Sequence, residues 1–338
     1  MGGIAIAISI LINSIFFLSL KSKHSLALIF VTIAFASLGA YDDFKKIFKK
    51  NKKGLSPKLK ILIQSLIGVT VAFLSIEKNC DTDIENRILK NSYYDNEKLS
   101  WPKNIFLEKN LILKENNKNF ITSIPFCKNY FLDYSKIIPN TNKSFTVLIF
   151  ILIVIFILTA TSNATNLIDG MDGSAAGFGT FFGFFIIFLS LVSSNFFLAK
   201  QLNLLLIPNA ENLLMFSVIF TFAYLGFLWE NAYPAKIFMG DTGSLLMGGL
   251  ISTIMIFLKQ ELLIPIVGIV LVVENLSVII QTAYFKYTKK KTGQGKRIFL
   301  CAPIHHHFQA KGEHENRISF KFFIITIISI FISITSII

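Results

Sequence analysis

Four oxygen-bearing side chains recur at every third position just after a long apolar run, with glycines between them. An α-helix would rotate such a series by about 60° per step, whereas a 3₁₀ turn or a glycine-broken loop would keep it convergent. Convergent carboxylates and carboxamides suit a hard cation or a polyhydroxy or diphosphate ligand. A capped turn between two helices is the structural alternative. The four residues are Asn163, Asn166, Asp169 and Asp172.

Two adjacent carboxylates, Asp42 and Asp43, follow another apolar run and precede a series of lysines. Neighbouring side chains on a helix point about 100° apart, so one acid could serve a metal or reacting group while the other supports it. The alternative is a solvated helix end whose acids pair with the following lysines.

A further carboxylate, Asp241, lies in the segment FMGDTGS where an apolar helix is predicted to begin. Free amides at a helix N-terminus bind phosphate oxygens, and the two glycines would permit close backbone approach. We expect Asp241 to hold Mg²⁺ against a bound diphosphate, with Asp169 as a second metal ligand. A role for Asp241 or Thr242 as the N-cap of that helix is compatible with this expectation.

Three successive histidines, His305, His306 and His307, lie in the segment APIHHHFQAKG. They lack the i, i+4 spacing of a helical zinc site. We expect a loop in which the histidines hydrogen-bond phosphate or sugar hydroxyls. A metal-binding histidine tract is the alternative.

Composition indicates that a membrane bundle positions these groups. The 338 residues are 53% hydrophobic and only 16% charged, and apolar runs of about 20 residues are typical of membrane-spanning helices. We predict an all-α fold, a polytopic integral membrane bundle of nine transmembrane helices, in a single domain over residues 1–338. The predicted spans are 2–20, 25–40, 59–76, 145–162, 175–194, 213–229, 245–258, 262–284 and 320–337.

The net charge of +13 reflects lysine-rich segments between the spans. Such segments favour the cytoplasmic face, and the alternation of spans then predicts four segments there, each holding one of the motifs above. A nucleic-acid partner could also explain the charge, but no RNA- or DNA-binding module surrounds the basic residues, so we expect membrane lipid and no nucleic acid. The four segments are 41–58, 163–174, 230–244 and 286–319.

The polar segment 77–144 is predicted to be an extracytoplasmic insertion within the domain, without a catalytic role. It is either a small subdomain or a disordered insertion. Cys80 and Cys127 lie in this segment, in a compartment that would permit a disulfide, whereas Cys301 is predicted to be cytoplasmic. Three unlinked thiols are the alternative.

Together the motifs resemble the polyprenyl-phosphate N-acetylhexosamine-1-phosphate transferases. The Asp-Asp pair, the Asn-rich DGMDG segment and FMGDTGS are shared across that superfamily, and APIHHHFQAKG is similar to its muramoyl-pentapeptide branch. The resemblance covers the chain apart from 77–144. It implies Mg²⁺-dependent transfer of phospho-MurNAc-pentapeptide from UDP-MurNAc-pentapeptide to undecaprenyl phosphate, giving lipid I and UMP, at the cytoplasmic face of the bacterial inner membrane.

The resemblance also implies a role for each motif. Asp241 would hold Mg²⁺, and Asp42 or Asp43 would take or position the proton of the acceptor. A one-step and a two-step transfer both stay open, as do a monomer and a homodimer. The nucleotide and diphosphate would be bound by Asn163, Asn166, Asp169 and Asp172, and the sugar-phosphate part by the histidines His305 to His307.

One departure from the family is the start of the chain. Members usually have ten transmembrane helices, and an extra helix and a loop containing Lys and Gly-Thr-Pro-Thr precede the Met-Gly-Gly with which this chain begins. We expect a start codon assigned too late or a truncated chain. If the start is real, loss of the basic loop would affect nucleotide binding.

Two other functions stay open. A UDP-GlcNAc-dependent transferase of the same superfamily would share every motif except the histidines. A lipid or solute transporter would need buried acids within its spans. Glu274 is the one acid well inside an apolar run, and we expect it to pair within the bundle.

Overall fold

The computed structural model describes residues 2–47, 54–76, 120–127, 131–137, 143–202 and 204–337, and these are mostly helical. Two short strands, β1 (Ile121–Ser123) and β2 (Phe131–Asp133), pair antiparallel with Thr122 opposite Leu132. The α-helices of the described ranges are α1 (Gly2–Phe17), α2 (Lys23–Ile47), α3 (Pro57–Ser75), α4 (Lys143–Ile168), α5 (Ser174–Ser194), α6 (Phe196–Gln201), α7 (Ala210–Asn231), α8 (Gly240–Phe257), α9 (Ile264–Val267), α10 (Ile269–Thr292), α11 (Ile304–Ala310) and α12 (Glu315–Ile337).

Eight helices of the described ranges are long and apolar enough to cross a membrane, which confirms the predicted polytopic helical bundle. They are α2, α3, α4, α5, α7, α8, α10 and α12. The remaining predicted span, 2–20, forms α1, which has only 16 residues. A helix of that length extends about 24 Å, whereas the hydrocarbon core of a bilayer is about 30 Å thick.

The centre of the bundle is α8, which is buried along almost its whole length. Helices α1, α2, α4 and α5 pack against it. Small residues permit this close packing: a Cβ at Gly39 of α2 would lie 2.4 Å from the Asp241 carbonyl oxygen, and one at Gly248 of α8 would lie 2.4 Å from the Thr165 hydroxyl of α4. The start of α8 is therefore held close to the end of α2.

Part of the predicted insertion docks on the bundle beyond the C-terminal end of α8. The Ser123 N–H and the Thr122 hydroxyl both donate to the Lys259 carbonyl oxygen, at 3.0 and 3.1 Å. The Tyr134 hydroxyl donates to the buried carboxylate of Glu261 at 2.6 Å. The described part of this segment is therefore hydrogen-bonded to the bundle.

Most of the remaining segment, including Cys80, lies outside the described residues. Cys127 is an exposed free thiol, and so is Cys301. The predicted alternatives for Cys80 and Cys127 therefore involve a residue outside the described ranges.

The motif segments are more helical than predicted. α2 continues through the Asp42-Asp43 pair, α4 continues to Ile168, and the histidines lie on α11. The predicted loops 41–58, 163–174, 230–244 and 286–319 are therefore too long. The apolar pattern stops where a helix becomes polar, but the backbone hydrogen bonds of the helix continue beyond that point.

Candidate active site

The start of α8 is capped by Asp43, which lies on α2. Its carboxylate accepts hydrogen bonds from the backbone N–H groups of Asp241 and Thr242, at 3.1 and 3.0 Å, and from the Thr242 hydroxyl at 2.7 Å. The first amides of a helix have no partner within that helix, so an acceptor from elsewhere stabilises its start. Asp43 thus accepts from two of the amides at the start of α8 and takes the capping role expected of Asp241 or Thr242.

Asp42 is fully buried and receives a different set of donors. Its Oδ1 accepts the Leu55 N–H at 2.5 Å, and its Oδ2 lies 2.6 Å from Lys46 Nζ and 3.1 Å from Lys60 Nζ. Gly54, at a φ of 61°, has no Cβ to displace this carboxylate. The two neighbouring acids therefore have separate structural environments.

The same two lysines also contact Asp241. Lys46 Nζ lies 2.8 Å from Oδ1 of Asp241, and Lys60 Nζ lies 2.6 Å from Oδ2. Each ammonium group thus bridges the carboxylates of Asp42 and Asp241. The alternative that the acids pair with the following lysines is thus correct for Asp42 and Lys46, which have i, i+4 spacing, but the helix end is buried rather than solvated. The contacts of Lys60 were not predicted.

A group of three acids could hold a metal ion. One carboxylate oxygen from each of Asp42, Asp43 and Asp241 lies within 4.8 Å of the others. Magnesium prefers oxygen ligands, so these residues have suitable donors. The ammonium groups of Lys46 and Lys60 contact two of the same carboxylates, so they and a divalent cation are alternative partners.

Asp169 follows the end of α4 and borders this group of acids. Burial, together with the nearby carboxylates of Asp241 and Asp43, raises the pKa of Asp169 to about 8, although a hydrogen bond from the Gly240 backbone opposes the shift. A carboxyl group in this environment stays protonated up to mildly alkaline pH unless a cation offsets the neighbouring charge.

The structure does not keep the four members of the Asn and Asp series in one turn. Asn163 is helical and forms a reciprocal amide pair with Gln64 of α3, at 3.0 and 3.4 Å. Asn166 lies one turn further along α4 and is half-buried. Asp172 accepts the Ala235 N–H at 2.9 Å. The expected 3₁₀ turn or glycine-broken loop is therefore wrong for the two asparagines, because α4 ends only after them.

The three histidine rings point in different directions because they occupy consecutive positions of α11. His305 is buried, and its Nδ1 lies 3.1 Å from the Glu274 carboxylate, which confirms the expected pairing of Glu274 within the bundle. His306 is half-buried and bonds Gln309 at 2.7 Å. His307 accepts the Leu300 N–H at 3.2 Å. The expected histidine loop is therefore wrong.

All four motifs nevertheless meet at one end of the bundle. Asp43 joins α2 to α8, Asp172 joins the turn after α4 to the segment before α8, and His305 lies against Gly170. The resulting surface combines carboxylates, two ammonium groups and imidazole rings. Such a set can bind a metal–diphosphate ligand beside a second anionic group.

Comparison with known proteins identifies related sequences. Residues 113–259 match the family model described as Glycosyl transferase family 4. The chain is 40% identical to the phospho-N-acetylmuramoyl-pentapeptide-transferase of Flavobacterium psychrophilum, over 99% of this chain and 81% of the relative. Proteins of the same name from Parabacteroides distasonis and Porphyromonas gingivalis are 40% and 36% identical, over 92% and 99% of this chain and 72% and 81% of theirs.

The cap on α8 predicts unequal stability effects for the two adjacent acids. Asp43→Ala leaves two backbone amides and a hydroxyl without their acceptor, and should lower the free energy of unfolding by about 1–3 kcal/mol. Asp42→Ala frees one amide and leaves both lysines paired with Asp241, so it should cost less. Thermal unfolding in detergent, followed by tryptophan fluorescence, measures the order. Equal midpoints would contradict the capping role of Asp43.

The environment of Asp169 predicts a pH dependence. Its pKa in the folded protein, about 8, exceeds its ordinary value of 3.8, so the folded state retains the proton over that range and stability falls as pH rises through it. In EDTA, the thermal midpoint should therefore fall between about pH 4 and about pH 8, and Asp169→Asn should reduce this fall. An identical pH profile in the variant would show that another group is responsible.

Proposed function

Because the chain belongs to the phospho-N-acetylmuramoyl-pentapeptide transferase family, we propose that it transfers phospho-N-acetylmuramoyl-pentapeptide from UDP-MurNAc-pentapeptide to undecaprenyl phosphate. In the overall reaction, the bond from the β-phosphorus of the donor to the UMP oxygen breaks, a bond from that phosphorus to a phosphate oxygen of the lipid forms, and the products are UMP and lipid I. The observation that supports this reaction best is the meeting of Asp42, Asp43 and Asp241 at the end of the bundle.

Each acid has a proposed role that follows from its contacts. Asp241 is the proposed principal ligand of Mg²⁺, with Asp42 in the same group and Asp169 beside it. Bound Mg²⁺ would neutralise the diphosphate charge that otherwise repels an anionic acceptor. Asp43 keeps Asp241 in place by capping α8, which leaves Asp42 as the residue that positions the acceptor phosphate or takes its proton.

The lysines are proposed to bind phosphate oxygens. Lys46 and Lys60 already lie between the carboxylates of Asp42 and Asp241. Hydrogen bonds between an ammonium group and a phosphate oxygen are strong because both partners are charged. When a divalent cation takes the carboxylates, the same two ammonium groups are close enough to turn to a diphosphate.

The donor is proposed to lie across the segments that follow α4 and precede α12. The series Asn163, Asn166, Asp169 and Asp172 would bind the nucleotide and diphosphate. His306 and His307, whose rings are half-buried, would bind the sugar-phosphate part. His305 is only 1% exposed and would contribute from beneath that surface.

The proposed location is the bacterial cytoplasmic membrane, with the site on the cytoplasmic face. Eight lysines lie within residues 44–60, and nine lysines and arginines lie within 286–321. The described Lys46, Lys60 and His305 of these segments lie at the end of the bundle where the acids meet. Such short basic segments are retained on the cytoplasmic side. The soluble nucleotide donor would reach the site from the same compartment.

The choice of donor gives the direct test of this function. The protein in detergent, with Mg²⁺ and undecaprenyl phosphate, should release UMP from UDP-MurNAc-pentapeptide much faster than from UDP-GlcNAc. Coupled detection of UMP measures both rates, and chromatography of the lipid product identifies lipid I. Faster release from UDP-GlcNAc would assign the chain to the other branch, and release from neither donor would favour a transporter.

Replacement of Asp241 tests the metal assignment. Asp241→Asn removes a negative charge from the proposed Mg²⁺ ligand and should lower kcat by about 100-fold or more, since metal stabilisation of transferred phosphoryl charge is worth several kcal/mol. Glu230→Gln is a suitable control because Glu230 pairs with exposed Lys236 near the same end of the bundle. Near-normal turnover of a folded Asp241→Asn variant would reject Asp241 as the principal ligand.

A further inference from the structure

Glu274 and His305 form a buried pair beneath the candidate site. Glu274 lies on the membrane-spanning helix α10 and is 0% exposed, and His305 on α11 is 1% exposed. Oε2 of Glu274 lies 3.1 Å from Nδ1 of His305. A carboxylate inside an apolar span is costly, so its retention there indicates a specific role.

The pair fixes the orientation of the imidazole ring. An ionised Glu274 only accepts hydrogen bonds, so in that state the facing Nδ1 of His305 is the donor. The contact directs Nδ1 towards Glu274 and turns Nε2 away from it. The ring of His306 packs against the His305 ring in a tilted arrangement, with centroids 4.1 Å apart.

The Nε2 edge of His305 faces the turn that carries Asp169 and Asp172. A Cβ at Gly170 would lie only 2.6 Å from Nε2, so the ring and the turn are packed against each other. Nε2 is buried and has no hydrogen-bond partner among the described residues. The His305 ring therefore contacts the turn by van der Waals packing, which depends on the orientation of the ring.

We propose that Glu274 is a positioning residue for the donor: it orients His305, and the His305 ring supports the turn 169–173 at Gly170. Loss of Glu274 then acts on the donor through His305 and the turn. This inference rests on the proposed function, because it assigns the turn to donor binding. It adds Glu274 and Gly170 to the residues on which that binding depends.

The kinetics of a double-mutant cycle test whether Glu274 acts on donor binding through His305. Glu274→Ala should lower kcat/KM for UDP-MurNAc-pentapeptide by about 10- to 100-fold, mainly through the donor KM, while the KM for undecaprenyl phosphate stays unchanged. Glu274→Gln keeps an acceptor for Nδ1–H and should lose less. In a His305→Ala background neither change should lower activity further. Asn275→Ala is the matched control, since that side chain bonds the backbone of its own helix at 2.9 Å.

Additive losses in the cycle, wild-type kinetics of folded Glu274→Ala, or an equal rise in both KM values would overturn the proposal. A wild-type protein that releases UMP from neither donor would instead refute the proposed function. The two failures are therefore distinguishable.

A stability cycle tests the same contact without activity. Gly170→Ala should lower the thermal midpoint of the otherwise unchanged protein, because its Cβ meets Nε2 of His305. The same change in the His305→Ala background should cost little, because the ring is gone. An equal fall in the thermal midpoint in both backgrounds would show that the His305 ring does not support the turn.

Discussion

The backbone amides at the start of α8 require acceptors that α8 itself does not provide, and the Asp43 carboxylate supplies them. This bond fixes the distance between the ends of α2 and α8. Since Asp42 is the neighbour of Asp43 and Asp241 lies in the capped turn, the same bond sets the spacing of the carboxylates at the site. The geometry of the site thus follows from the capping of one buried helix.

The lysines explain how three acids can lie so close together beside an apolar bundle. Carboxylates at short distance repel each other strongly where water is scarce. Lys46 and Lys60 offset this repulsion by contacting Asp42 and Asp241 together. Their exchange for a divalent cation would conserve the approximate charge of the site and make two ammonium groups available to anionic ligands.

The bundle and the chemical motifs could be predicted from sequence because both depend on local residue types. Long apolar runs determine the spans, and unusual polar residues at their ends identify the motifs. Separate roles for Asp42 and Asp43 were predicted from helix geometry, but which acid caps α8, the inward direction of Lys60 and the burial of His305 could not be predicted. Each of these depends on a partner far away in the chain: Thr242, Asp241 and Glu274. The helix ends were misplaced because polarity changes before the backbone hydrogen bonding stops.

The docked strand β1 has a mechanical consequence for the site at the opposite end of α8. Two donors from β1 hold the Lys259 carbonyl just after α8 ends, while Asp43 holds the amides where it begins. Sliding of α8 along its axis would break bonds at both ends at once. We therefore expect α8 to keep its position along its axis. Movements that accompany ligand exchange would then involve side chains and short elements such as α11.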